Sequence, residues 1–143
     1  MANWPQVRDM EKDLDMCFGC GQKNPIGLKL NFSWDGRVAR TEFTPNRLHQ
    51  GWSGVVHGGI IACLLDEAMS YAARFSGVDS LTARMQARLR RPLPIDELLI
   101  ITASLTRKTR KLAEARAEVS LRDGTVVADG TATMFLLGQR KEE

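Results

Sequence analysis

Residues 58–75 leave few folds open to this chain. Small and apolar side chains surround the segment on nearly every side of a helix, and its polar exceptions, Asp66, Ser70 and Arg74, recur at i, i+4 and i+8. Such a helix must be buried, with one polar line along it. On either side of it the period falls to two. Leu28, Leu30, Phe32 and Trp34 alternate with Lys29, Asn31 and Ser33, Asp35-Gly36 supplies a tight turn, and residues 37–43 alternate again, which predicts a β-hairpin. After the helix, Leu81, Ala83, Met85, Ala87 and Leu89 fall on one face of a strand and Thr82, Arg84, Gln86, Arg88 and Arg90 on the other, until Pro92 and Pro94 end it. Residues 98–106 and 112–121 predict two further strands. In the second, Ala113, Ala115, Ala117, Val119 and Leu121 alternate with Glu114, Arg116, Glu118 and Ser120. Asp123-Gly124 turns the chain into a last, largely apolar strand over residues 125–137.

Two strands, one buried helix and four more strands bury that helix most simply when an antiparallel sheet wraps around it. The expected fold class is therefore α+β, one domain over residues 1–143. Its N-terminal arm covers residues 1–16, with a short helix or ordered segment over 5–15, and its charged tail frays over 139–143. A single copy leaves a sheet edge open and one side of the helix thinly covered, so a homodimer or homotetramer is expected.

Composition excludes several classes of function. A chain that is 43% hydrophobic and 26% charged is globular in type. The longest apolar run, residues 60–65, is far short of the roughly 20 residues that cross a bilayer, and the N-terminus is acidic where a signal peptide would be basic. A cytoplasmic protein with no membrane partner is expected. With 20 Lys and Arg against 17 Asp and Glu, and only 6% aromatics, nothing points to a nucleic-acid partner. Three cysteines give no disulfide framework. Cys17 and Cys20 have C-x-x-C spacing, but structural zinc generally takes four Cys or His ligands, and only His49, His57 and Cys63 remain. A Gly-rich turn that seats the N-terminal arm is the favoured reading, so no metal and no cofactor are expected.

The chemistry concentrates at His57-Gly58-Gly59 and Asp66. A glycine costs a helix roughly 0.5–1 kcal/mol relative to alanine, so two in the first turn imply a close approach to the backbone. First-turn N–H groups have no partner within the helix and lie at its positive end, ready to donate to a carbonyl oxygen that gains negative charge. Close packing against a strand explains the glycines equally well. Asp66 interrupts an apolar stretch, where burial strips water from a carboxylate and suits it to act as base or nucleophile. The alternative is a structural carboxylate bonded to a loop or to Ser70. Glu67, one residue on, is turned about 100° away and faces a loop or a subunit interface.

His57-Gly58-Gly59 followed by Asp66 resembles the signature of the phenylacetic-acid-pathway (PaaI-like) and 4-hydroxybenzoyl-CoA-thioesterase-like hotdog thioesterases. Cys17-Phe18-Gly19-Cys20-Gly21 with Asn24-Pro25-Ile26-Gly27-Leu28, Gln50-Gly51 before Gly54-Val55-Val56, and Leu81-Thr82-Ala83-Arg84 before Arg91-Pro92 extend the likeness from residue 17 to about 135. The resemblance implies a hotdog fold and hydrolysis of an acyl-CoA to free acid and CoA. It makes Asp66 the general base or nucleophile, the Gly58 N–H the donor to the thioester carbonyl, and Thr82 the residue that positions the attacking water across a dimer interface. His57, Gly59 and Gln50 would bind near the thioester. One subgroup carries Asn where Gly51 stands here, and Gln50 is the available substitute.

Arg84, Arg90 and Arg91, and Arg107, Lys108, Arg110 and Lys111, are candidates to meet the CoA phosphates; each also suits a solvated strand surface. A ligand-binding hotdog module without turnover, or a hydratase, remains an alternative. The hydratase would pair His57 with Asp66, which lie more than two helical turns apart. The sequence leaves the acyl group open, aromatic and medium-chain alike.

Overall fold

The computed structural model describes residues 13–139. Helix α1 spans Gly58–Phe75, the bounds its pattern predicts. Ile61, Leu64, Leu65 and Met69 on it are fully buried, and removing each such side chain from water contributes about 1.5–3 kcal/mol. An antiparallel sheet wraps the helix: β1 (Ser33–Trp34), β2 (Ala39–Phe43), β3 (Val78–Leu89), β4 (Leu99–Lys108), β5 (Leu112–Ser120) and β6 (Val126–Gln139). Its order is β1-β2-β4-β5-β6-β3. This is the α+β hotdog arrangement expected from the element order. On β5 the alternation holds throughout, with Ala113, Ala115, Ala117 and Val119 buried against the helix side and Glu114, Arg116 and Glu118 exposed. No helix among the described residues is long and apolar enough to cross a membrane.

The first strand is shorter than its alternation predicts. Leu28 and Leu30 are buried, but their N–H groups donate to the carbonyls of Phe18 and Gly19, both at 2.9 Å. Those amides are spent on the preceding loop, so only Ser33 and Trp34 pair with β2. The turn forms as expected: Asp35 Oδ1 accepts from the Arg37 and Val38 N–H groups at 2.8 and 2.7 Å, and Gly36 takes φ 100°. Phe32 then stacks on Tyr71 at 4.4 Å and Trp34 on Phe75 at 5.3 Å, fixing this segment to α1.

The alternation expected along residues 81–90 is broken. Thr82 pairs with Met134 and Arg84 with Thr133, which leaves Ala83 as an extra residue in β3. A bulge of this kind resets the faces. Thr82 therefore shares the helix side with Met85, which packs on the core, and not the outer side with Arg84 and Gln86. At the other end of the ladder Gln139, assigned to the frayed tail, lies opposite Val78. Most of the arm expected over residues 1–16 falls outside the described residues.

Candidate functional site

β3 follows α1 and runs back along it, so the helix's polar line meets the strand. Thr82 Oγ1 donates to Asp66 Oδ1 at 2.6 Å, and further along the helix Arg74 forms an ion pair with Asp79 at 2.6 Å. The bulge at Ala83 aims the Thr82 hydroxyl at the helix. Asp66 and Thr82 were expected to meet across a dimer interface. They meet within one chain, because the antiparallel return of β3 places them side by side. Asp66 is half-buried, and a carboxylate held by one hydroxyl on one oxygen keeps acceptor capacity on the other.

The start of α1 is held from several directions. His57 is its N-cap, with Nδ1 accepting from the Gly59 N–H at 2.8 Å. A Cβ at Gly59 would stand 3.0 Å from that Nδ1 and one at Gly51 3.3 Å from His57 Cδ2, so both glycines make room for the imidazole. Gly58 is different. A Cβ there would meet only Leu89, at 3.8 Å, an ordinary contact, so packing within the chain does not demand glycine at 58. Its N–H is a first-turn donor with no intrahelical acceptor. Upstream, the His57 N–H donates to the His49 carbonyl at 2.9 Å, and the Val56 N–H to the Leu93 carbonyl at 2.8 Å. Gln50, the suggested substitute for a thioester-binding Asn, spends Oε1 on the Gly54 N–H at 3.0 Å. His49 Nδ1 accepts from the Asn46 N–H at 3.0 Å, and burial lowers the His49 pKa.

Gly51, Trp52, Val56, His57 and Gly58 line a surface cavity of about 290 Å³. Trp52, 87% exposed, forms part of its wall, and Leu48, 85% exposed, lies in the 3-10 turn just upstream. Sequence reasoning missed both; the only signal was a large apolar side chain in a loop otherwise polar and Gly-rich. Within one chain the two halves of the expected site stay apart. Gly58 and Asp66 are eight residues from each other on one helix, about 12 Å along its axis.

The basic candidates also separate. Arg90 Nε donates to Asp129 Oδ2 at 2.8 Å, and Arg88 approaches the same carboxylate at 3.5 Å; Asp129 went unnoticed in the sequence. Arg90 is thus already paired, which weakens it as a phosphate ligand, whereas Arg91 beside it is exposed. Arg84 and Arg107 stand in one row across the sheet, through Thr133 and Glu114, on the outer face away from Asp66. Lys108 lies level with Thr82 through Ala113 and Met134, so residues 107–111 end the sheet nearest Asp66. Burial, then the nearby charges of Glu67, Asp66 and Cys17, push the Cys63 thiol up to about 12. Glu67 is 8% exposed and faces the loop over residues 17–20, as its position on the helix predicted.

The model of the thioesterase superfamily matches residues 53–128, just over half of the chain, and includes the helix start, Asp66 and Thr82. The chain belongs to the thioesterase superfamily. The resemblance read from the motifs is borne out at that level. The human acyl-coenzyme A thioesterase THEM5 is 27% identical over 101 residues, 71% of this chain and 41% of the human protein. This chain spans about two-fifths of the length of the curated relatives it matches. Among solved structures, the Escherichia coli PaaI protein of the phenylacetic acid degradation operon superposes with TM-score 0.73 at 20% identity, covering 78% of this chain and 82% of PaaI. A hypothetical thioesterase from Streptococcus pneumoniae, solved with coenzyme A, gives 0.72 at 20% identity, over 78% of this chain and 92% of that one. These two likenesses show the fold.

Proposed function

We propose that this protein hydrolyses an acyl-CoA to the free acid and CoA, and that two copies of the chain build each site. The carrying observation is the Thr82–Asp66 hydrogen bond at 2.6 Å. It orients a half-buried carboxylate on an apolar helix and leaves one oxygen to take a proton from water or to attack the thioester. The Gly58 N–H is the donor to the thioester oxygen, which gains charge at the tetrahedral intermediate. Because the two groups of one chain lie about 12 Å apart on α1, the Gly58 that serves a given Asp66 comes from the other copy. A homodimer is the smallest assembly that supplies it. β3 is one open edge of the sheet, twelve residues long and, among the described residues, paired only with β6, and such an edge invites a second copy.

His57 orients the helix start through its cap, Gly59 gives it room, and Gln50 shapes the loop. Lys108, Arg110 and Lys111, with Arg91, are the basic groups proposed to meet the CoA phosphates. The THEM5 likeness supports acyl-CoA as the substrate class. A hydratase that uses His57 Nδ1 as its base is less well supported, since that lone pair is committed to its own helix; a non-catalytic binding module is separated from the hydrolase by thiol release alone.

The test is complementation. Proline at the first helical position removes the Gly58 N–H while fitting the helix, and the extended backbone of His57, φ −61° and ψ 133°, tolerates a following proline. Gly58→Pro and Asp66→Asn should each be folded and nearly inactive for thiol release from acyl-CoA. Unfolded, mixed and refolded together, they should recover about a quarter of wild-type activity, because half the pairs are mixed and each mixed pair holds one intact site. No recovery in a mixture shown to contain mixed dimers sinks the two-copy site. Full activity in Asp66→Asn alone sinks the hydrolase reading.

A further inference from the structure

Beneath the loop over residues 17–20 the fold gathers three donors that Asp66 chemistry does not use. The loop backbone rests directly on Glu67, since a Cβ at Gly19 would fall 2.5 Å from its Cδ. Gly21 is equally constrained, with 2.4 Å to the Asp15 carbonyl oxygen. These two bare positions let the chain coil tightly enough to bring both C-x-x-C thiols back over one point of α1. Cys17 Sγ donates to Glu67 Oε1 at 3.6 Å. The sulfurs of Cys17 and Cys20 and a Glu67 oxygen all lie within 4.8 Å of one another, with Cys20 and Glu67 buried and Cys17 half-buried. A tetrahedral ion with metal–sulfur bonds of about 2.3 Å and metal–oxygen bonds of about 2.1 Å separates its donors by roughly 3.5–3.8 Å. Small side-chain rotations close the present triangle onto that geometry.

We infer that Cys17, Cys20 and Glu67 form a binding site for one divalent cation of the zinc class, which fastens the N-terminal loop to the central helix. Two thiolates and a carboxylate offset the ion's charge, and paired sulfurs favour zinc, cadmium or cobalt over magnesium or calcium. Each thiol gives up its proton to solvent as the metal–sulfur bond forms, and no electron moves. Tyr71, one turn past Glu67 on α1, lies beside Cys20. Cys63 lies outside the group of three, so water completes the coordination. The site runs against the metal-free expectation from the sequence, which counted only Cys and His as ligands and left Glu67 aside.

The full chain, stripped with a chelator and kept reduced, is titrated with Co²⁺ and then Zn²⁺. One equivalent of Co²⁺ should raise thiolate-to-cobalt charge-transfer absorption in the near ultraviolet, and Zn²⁺ should abolish it. Cys17→Ser with Cys20→Ser should remove the band, Glu67→Gln should weaken Co²⁺ binding about ten-fold or more, and Cys63→Ser should leave the band unchanged. Absence of a band in the wild-type chain at millimolar Co²⁺ overturns the site, and this reading needs no variant to fold. A band that survives in the double cysteine variant, or is lost in Cys63→Ser, also overturns it. None of these readouts depends on thioester hydrolysis.

Discussion

Asp66 and Glu67 are adjacent carboxylates on one helix with opposite surroundings. Asp66 faces β3, half-buried, and receives one hydroxyl at 2.6 Å. Glu67 is turned about 100° around the axis and lies 8% exposed under a glycine-thinned loop with two thiols beside it. The difference comes from what packs over each position. A strand edge leaves room for a substrate to approach, and a wrapped loop leaves room for nothing larger than an ion. On the proposed readings, one carboxylate does the chemistry and its neighbour holds the chain together.

Exchanging the two acids for amides sharpens this contrast most. Asp66→Asn should lower turnover at least about a hundred-fold with no change in the folded spectrum, because an amide neither takes a proton from water nor attacks a carbonyl. Glu67→Gln should leave kcat within about three-fold while lowering the midpoint of thermal unfolding, since it disturbs a buried contact outside the site. Equal losses of turnover in the two variants, measured by thiol release, would erase the distinction.

A smaller effect is expected at Thr82. Thr82→Val keeps the β-branched shape of the strand and removes the hydroxyl, and a hydrogen bond to a charged group is worth about 1.5–3 kcal/mol, or roughly ten- to a hundred-fold in kcat. A loss in Thr82→Val as large as that in Asp66→Asn would give the hydroxyl a direct role in bond making. The unfolding midpoint should fall modestly as well, because a half-buried Asp66 oxygen loses its donor.

The smallest expected effect lies at the loop that aims the helix start. Burial holds the His49 pKa below its ordinary 6.5, so the unfolded chain binds a proton more readily than the folded one. The contribution of this group is fully present above pH 6.5 and is lost as pH falls through the folded-state value. Protonation also removes the Nδ1 acceptor of the Asn46 N–H. The unfolding midpoint of the wild type should fall between about pH 7 and about pH 5 by more than that of His49→Gln, whose amide oxygen can replace the acceptor. Parallel curves in calorimetry would remove His49 from this account.

Much of the fold was legible because burial writes a period into a sequence. Residues 58–75 could only be a helix covered on most sides, and the alternation of β5 survives in the structure residue for residue. Asp66 and the glycines at the helix start stood out because each costs stability unless something uses it. The bulge at Ala83 left no mark, since one extra residue in a strand changes which face follows without changing composition. It is that bulge which turns the Thr82 hydroxyl toward Asp66. Leu28 and Leu30 looked like strand residues because they are buried, but only tertiary structure assigned their amides to the 17–20 loop. The same holds for Glu67. Periodicity told which way it points, and only packing of a loop 50 residues earlier in the chain brought Cys17 to it, because contacts between distant segments depend on three-dimensional closure that no local pattern records.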